Sequence, residues 1–153
     1  MMHKRSYWTL LLFILIVAGV AASGVHFQPG AWYEQLAKPF WTPPDWLFPP
    51  MWSILYVMIA VAGWLIFSAT EQKLKVLWVA QLVLNGVWSW LFFGLHRTGL
   101  GLIDITALLV CIAMLLILSR KSLPSVALLM TPYLIWVAYA STLNAAILVL
   151  NPA

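Results

Sequence analysis

The sequence predicts an all-α integral membrane protein: a bundle of five transmembrane helices with a long aromatic loop between the first two. Three observations carry that prediction. Of the 153 residues, 64% are hydrophobic and 8% charged, with a mean hydropathy of +0.97. Soluble domains carry about 25% charged residues, so a water-soluble fold of this length could not cover its surface, and lipid must be the solvent. Apolar stretches fall near residues 7–25, 47–68, 76–95, 100–118 and 124–149, each reaching the roughly 20 residues that a helix needs to cross the hydrocarbon. Between the first two, residues 26–46 are long enough to fold over the mouth of a bundle. The segment Trp32–Tyr56 holds four tryptophans, two tyrosines and five prolines.

The first stretch follows Lys4 and Arg5 and ends in Ala21-Ala22-Ser23-Gly24, superficially like a cleaved secretory signal. Its length is that of a full span, and four more follow, so it reads as a retained helix. Ala18, Gly19, Ala22 and Ser23 allow close packing, either within one bundle or against a second copy. The aromatic loop that follows cannot be one helix, because proline fixes φ and removes backbone donors. Tryptophan has an apolar body and one N–H donor, which suits the membrane edge or a pocket with one polar contact. The loop therefore reads as a lid, with Trp32, Tyr33, Pro43 and Pro44 as its residues.

In the second span Trp52, Tyr56 and Gly63 share a helical face, while Trp64, Trp78 and Trp8 read as interfacial anchors. The third span places Gln81, Asn85, Trp88 and Phe92 on one face. An amide in hydrocarbon costs several kcal/mol, on the order of a lost hydrogen bond or more, unless it finds a partner. That face therefore points inward, as helix–helix glue or as a pocket wall. In the fourth span Asp104 is the one acidic residue inside a predicted span; it reads as an ion pair with Arg97 or His96 or as an interfacial placement, with a proton or ion path as the alternative. The fifth span carries the row Pro132, Trp136, Ala140 and Asn144, with Tyr133 and Leu143 beside it. Ala140 leaves room for a neighbouring helix or a flat ligand, and Pro132 would kink the span or sit in its first turn.

The joints 69–75, 96–99 and 119–123 are short, which predicts antiparallel sequential neighbours. Lys4, Arg5, Lys73, Lys75, Arg120 and Lys121 fall on one side, against Lys38 and Arg97 on the other. That bias predicts a cytoplasmic N-terminus and an outward aromatic loop, in a bacterial inner membrane. The net charge of +4 is too small and scattered to suggest nucleic acid. The single cysteine, Cys111, excludes an intramolecular disulfide, and the three histidines have no metal-site spacing. No catalytic constellation stands out. No internal repeat suggests an inverted-repeat transporter, and the chain reads as one domain, residues 1–153. The residues alone lead to a pocket for a flat, largely apolar molecule within the bundle. Its predicted lining is Trp41, Trp52, Tyr56, Gln81, Asn85, Trp88, Phe92, Trp136, Ala140, Leu143 and Asn144.

Three stretches, WYEQLAKPFWTPPDWLFPPMWSILY (32–56), QLVLNGVWSWLFFG (81–94) and PYLIWVAYASTLN (132–144), resemble the motifs of the translocator protein / tryptophan-rich sensory protein family, also called peripheral benzodiazepine receptors. The resemblance spans nearly the whole chain. It implies a five-helix bundle, commonly a homodimer, that binds porphyrins such as protoporphyrin IX and haem without an obligatory cofactor. It also implies binding of isoquinoline carboxamide and benzodiazepine ligands and, in animal members, sterols. Bacterial relatives are linked to tetrapyrrole and stress regulation, and some promote light-dependent breakdown of protoporphyrin; the positions matching the tryptophans of that chemistry are Trp52 and Trp136. Ala140 and Leu143 match pocket positions on the fifth helix, and Asn85 matches the amide on the third. After Leu143-Asn144 this chain lacks the aromatic and basic residues of the animal sterol motif, which points to a bacterial-type member. Porphyrin sensing leads, with light-dependent porphyrin degradation, transport of porphyrin or sterol, and partner docking through the loop as alternatives.

Overall fold

The computed structural model describes residues 7–152, so the charges at Lys4 and Arg5 and the histidine at His3 lie outside the described residues. The described residues form helices joined by loops and turns, without strands. Five helices are long and apolar enough to span a membrane: α1 (Tyr7–His26), α3 (Phe48–Phe67), α4 (Gln72–Ser89), α5 (Thr98–Ser122) and α6 (Pro124–Leu150). The aromatic segment contains one further short helix, α2 (Ala31–Gln35), and a 3-10 turn (Asp45–Leu47) that leads into α3. Pro49 and Pro50 sit in the first turn of α3, where a missing N–H costs nothing.

Helix ends fall where local chemistry puts them. The α4 helix starts at Gln72, four residues before the apolar run, because Lys73 and Lys75 can extend their stems along the helix and keep their ammonium groups in water. At its other end it widens into a π turn (Trp90–Gly94), and Leu95 N–H donates to the Trp90 carbonyl at 2.8 Å. His96, at φ 55°, then reverses the chain in the left-handed region, which histidine visits more readily than most residues. The joint expected at 119–123 shrinks to Leu123 alone, since α5 runs on through Arg120 and Lys121 to Ser122 and Pro124 opens α6. Pro132 lies inside α6 rather than in its first turn.

The helices close into a ring in the order α1–α3–α6–α5–α4, with α5 against α6 the largest contact. Short joints do not make every sequential pair close neighbours: α3 and α4 meet much less, because α1 packs on both. Where α3 and α4 do touch, Trp78 enters the bundle. It is 2% exposed, donates its Nε1–H to the Ile59 carbonyl at 2.9 Å, and packs edge-on against Phe13 and Phe67. Gly63 makes the space, as a Cβ there would collide with the Trp78 ring. Trp78 is thus a core residue and not the interfacial anchor expected from its place near a span end; an indole suits both settings, and Gly63 decides. Trp8 is exposed, and Trp64 donates its Nε1–H to Thr9 of α1 at 3.1 Å. In α1 only Phe13 and Val17 are buried. Its Ser23 faces Gly86 of α4, whereas Ala18, Gly19 and Ala22 are largely exposed.

Candidate ligand site

The covering segment is tied down at both flanks and the middle. On one flank Trp32 stacks on His96, with centroids 4.3 Å apart and 12° between planes, and Tyr33 is buried edge-on against Phe92 and Phe93. The Lys38 ammonium lies 4.5 Å from the centre of the Tyr33 ring. Burial, and secondarily the Asp45 carboxylate, push the Tyr33 phenol above its ordinary value of 10.0. On the other flank Trp41 meets Tyr139 edge-on at 5.7 Å, and the Tyr139 hydroxyl donates to the Trp41 carbonyl at 2.6 Å. In the middle, Asn151 just past α6 holds the backbone of Ala37. Pro43 is half-buried and Pro44 exposed before the 3-10 turn. Phe40 and Trp46 point outward.

Beneath the segment lie two linked polar–aromatic groups. In the first, Trp52 stacks with Tyr56 at 5.4 Å and meets Tyr133 edge-on at 6.5 Å. The Tyr56 hydroxyl donates to Asn85 Oδ1 at 3.1 Å, and Asn85 Nδ2 donates to the Tyr133 hydroxyl at 2.9 Å. One amide therefore joins α3, α4 and α6. Trp136 completes this group, edge-on to Phe48 at 5.8 Å and tilted against Tyr139 at 6.0 Å, with Ala140 half-buried one turn on. The Trp136 Nε1–H is buried without an acceptor.

In the second group Trp88 stacks on Phe92 at 5.1 Å and donates its Nε1–H to Asn144 Oδ1 at 3.1 Å. Asn144 Nδ2 in turn donates to the Thr98 carbonyl at 2.9 Å, in the first turn of α5. Leu143 packs with Phe92, Tyr33 and Ile147. Gly101 gives the group room, since a Cβ there would lie 3.1 Å from Asn144 Oδ1.

Two expected partners separate from these groups. Gln81 turns back on its own helix, donating Nε2 to the Trp78 carbonyl at 2.9 Å and leaving Oε1 buried without a partner. Asp104 forms no ion pair with Arg97 or His96: Arg97 is exposed, His96 is spent on Trp32, and Asp104 Oδ2 is buried without a hydrogen bond. The α5 face that carries Asp104 points into the bundle, while the turn carrying Arg97 faces out. Sequence reading also passed over Tyr139, Phe48, His96 and Asn151 as site residues. Tyr139 lies three residues after Trp136 on the same side of α6, which was the available signal; Asn151 lies past the last apolar residue and gave none.

The sequence that builds this arrangement matches known proteins over nearly its whole length. The model of the TspO/MBR family matches residues 8–150. The chain belongs to the TspO/MBR family. Tryptophan-rich protein TspO of Chlorobaculum tepidum is 41% identical over 97% of this chain and 99% of its own length. Protein CrtK of Rhodobacter capsulatus is 36% identical over 92% of this chain and 91% of its own. The human Translocator protein is 33% identical over 82% of this chain and 78% of its own. As a TspO/MBR member with five apolar helices, the protein is an integral membrane protein.

Proposed function

We propose that this TspO/MBR protein is a membrane receptor for a porphyrin, protoporphyrin IX or haem, held between α3, α4 and α6 under the aromatic segment. The observation that carries the reading is the Trp136 indole N–H, buried among Phe48, Tyr139 and Ala140 with no acceptor of its own. A buried donor without a partner costs free energy, and a carboxylate or carbonyl on a ligand would supply the acceptor. The rings of Trp52, Tyr56 and Trp136 offer faces and edges to a flat ring system. The charge bias supports an orientation with the site toward the outside of a bacterial cell membrane, and a homodimer is the assembly the family resemblance implies.

Titration of the purified protein with protoporphyrin IX tests this. Intrinsic fluorescence should be quenched to saturation, and Trp136→Phe combined with Trp52→Phe should weaken the binding. Unchanged affinity in the double variant would remove these residues from the site. A second reading is favoured by the stacked Trp52–Tyr56 pair, an oxidisable side-chain couple beside the same space. Here the bound porphyrin, excited by light and with molecular oxygen as co-reactant, is degraded. Porphyrin absorbance should then fall under light and not in darkness, and Trp136→Phe should suppress the loss.

A further inference from the structure

The segment Leu36–Pro39 has a backbone problem of its own. Leu36 leaves the helical region at ψ 141° and Pro39 has no N–H; the Leu36 carbonyl accepts from the Lys38 ammonium and the Pro39 carbonyl from Thr42, but the Ala37 N–H and carbonyl between them have no backbone partner. Asn151 solves it. The Ala37 N–H donates to Asn151 Oδ1 at 2.9 Å, and Asn151 Nδ2 donates back to the Ala37 carbonyl at 2.9 Å. The primary amide thus pairs both polar groups of one residue, as a neighbouring strand would. The second Nδ2–H reaches the Ile147 carbonyl at 2.8 Å, which fixes the side chain to the last turn of α6. An asparagine suits this position because one planar group supplies an acceptor and two donors.

We propose that Asn151 is the positioning residue for the cover, a latch that sets how often the aromatic segment lifts from the end of the bundle. Its place explains the choice of point. Ala37 lies midway between the Tyr33 contacts with Phe92 and Phe93 and the Trp41 contact with Tyr139. One two-point pairing at the centre therefore holds both flanks in register. The aromatic faces below are largely occupied by one another and by the cover, so a ligand as broad as a porphyrin reaches them only when the cover parts from α6. The latch then governs both admission and release. This last step rests on the porphyrin reading; the latch itself does not.

The experiment compares full-length wild type, Asn151→Leu and Asn151→Asp in lipid nanodiscs. Asn151→Leu keeps the volume and removes every bond. Asn151→Asp keeps the acceptor for Ala37 N–H and removes the donor to its carbonyl. Amide hydrogen exchange across residues 31–42 should speed up about tenfold in Asn151→Leu, with Asn151→Asp intermediate, as expected for two net hydrogen bonds in a partly wet site. Exchange in α3 and α5 should not move. Protoporphyrin IX should associate and dissociate faster in the same order, with a smaller change in equilibrium affinity. Unchanged exchange in residues 31–42 overturns the latch. Faster exchange with unchanged porphyrin kinetics keeps the latch and overturns its control of access. Absence of porphyrin binding in the wild type counts against the receptor reading, while the exchange result still decides the latch.

Discussion

The two ends of this bundle are built by different rules. At the end away from the aromatic segment, Ile66, Leu74, Ile112, Leu115, Val126 and Met130 fill the interior, and the fully buried indole there, Trp78, has its N–H satisfied by a carbonyl. At the covered end the interior is aromatic and polar. Asn85 and Asn144 satisfy three helices at once, yet Trp136 keeps an unanswered donor. One end is packed for stability, and the other accepts an unpaired indole donor; Gln81 Oε1, beside Trp78, and Asp104 Oδ2 are the other buried side-chain atoms without a partner among the described residues. On the porphyrin reading proposed above, that donor is where a ligand would complete the network.

Substitutions can break that contrast, starting at the stable end. Trp78→Ala should cost about 3–5 kcal/mol, as large-to-small core changes do. The loss is readable as a lowered midpoint of reversible unfolding in mixed detergent, with a parallel loss of all ligand binding. Asn85→Leu comes next. It strands the Tyr56 and Tyr133 hydroxyls, for which about 2 kcal/mol is expected, between the cost of buried unsatisfied groups and the weaker average seen inside membranes. The same unfolding assay measures it, and removing both hydroxyls with Tyr56→Phe and Tyr133→Phe in that background should recover part of the loss. Trp136→Phe sharpens the comparison most. It removes an unpaired donor, so stability should change by less than about 1 kcal/mol, while porphyrin affinity falls. A large stability loss there would make Trp136 ordinary core and dissolve the distinction between the two ends.

The smallest effect concerns pH. The Tyr33 phenol is raised above 10.0 by burial and by Asp45, so the docked cover holds that proton more tightly than the open one does. Docking is therefore at full strength below pH 10 and weakens as pH rises through the raised value. Tyr33→Phe should flatten this alkaline dependence, followed through Trp32 fluorescence. Equal loss of docking in wild type and variant would assign the effect to another group.

Much of this architecture was legible because membrane spans announce themselves by length and hydropathy, and because inward faces repeat at helical spacing. Gln81, Asn85, Trp88 and Phe92 fell on one face by periodicity, as did Trp136, Ala140 and Asn144. What periodicity could not give was the register between helices. It is this register that pairs Asn85 with Tyr56 and Tyr133, returns Gln81 to its own backbone, and leaves Asp104 without Arg97. Trp78 was misplaced for a related reason: a tryptophan near a span end has the same chemistry at an interface as in a core. The extra reach of α4 and α5 was hidden by lysine and arginine, whose charged tips end a hydropathy plot before they end a helix.

The close fit of Trp78 over Gly63 has a consequence for how this sequence can change over time. Neither position is free to drift alone: a side chain at 63 collides with the indole, and a smaller residue at 78 leaves a hole against α3. Variation should therefore arrive in compensating pairs, a larger residue at 63 with a smaller one at 78. Across many descendants, those two columns would carry a single shared record.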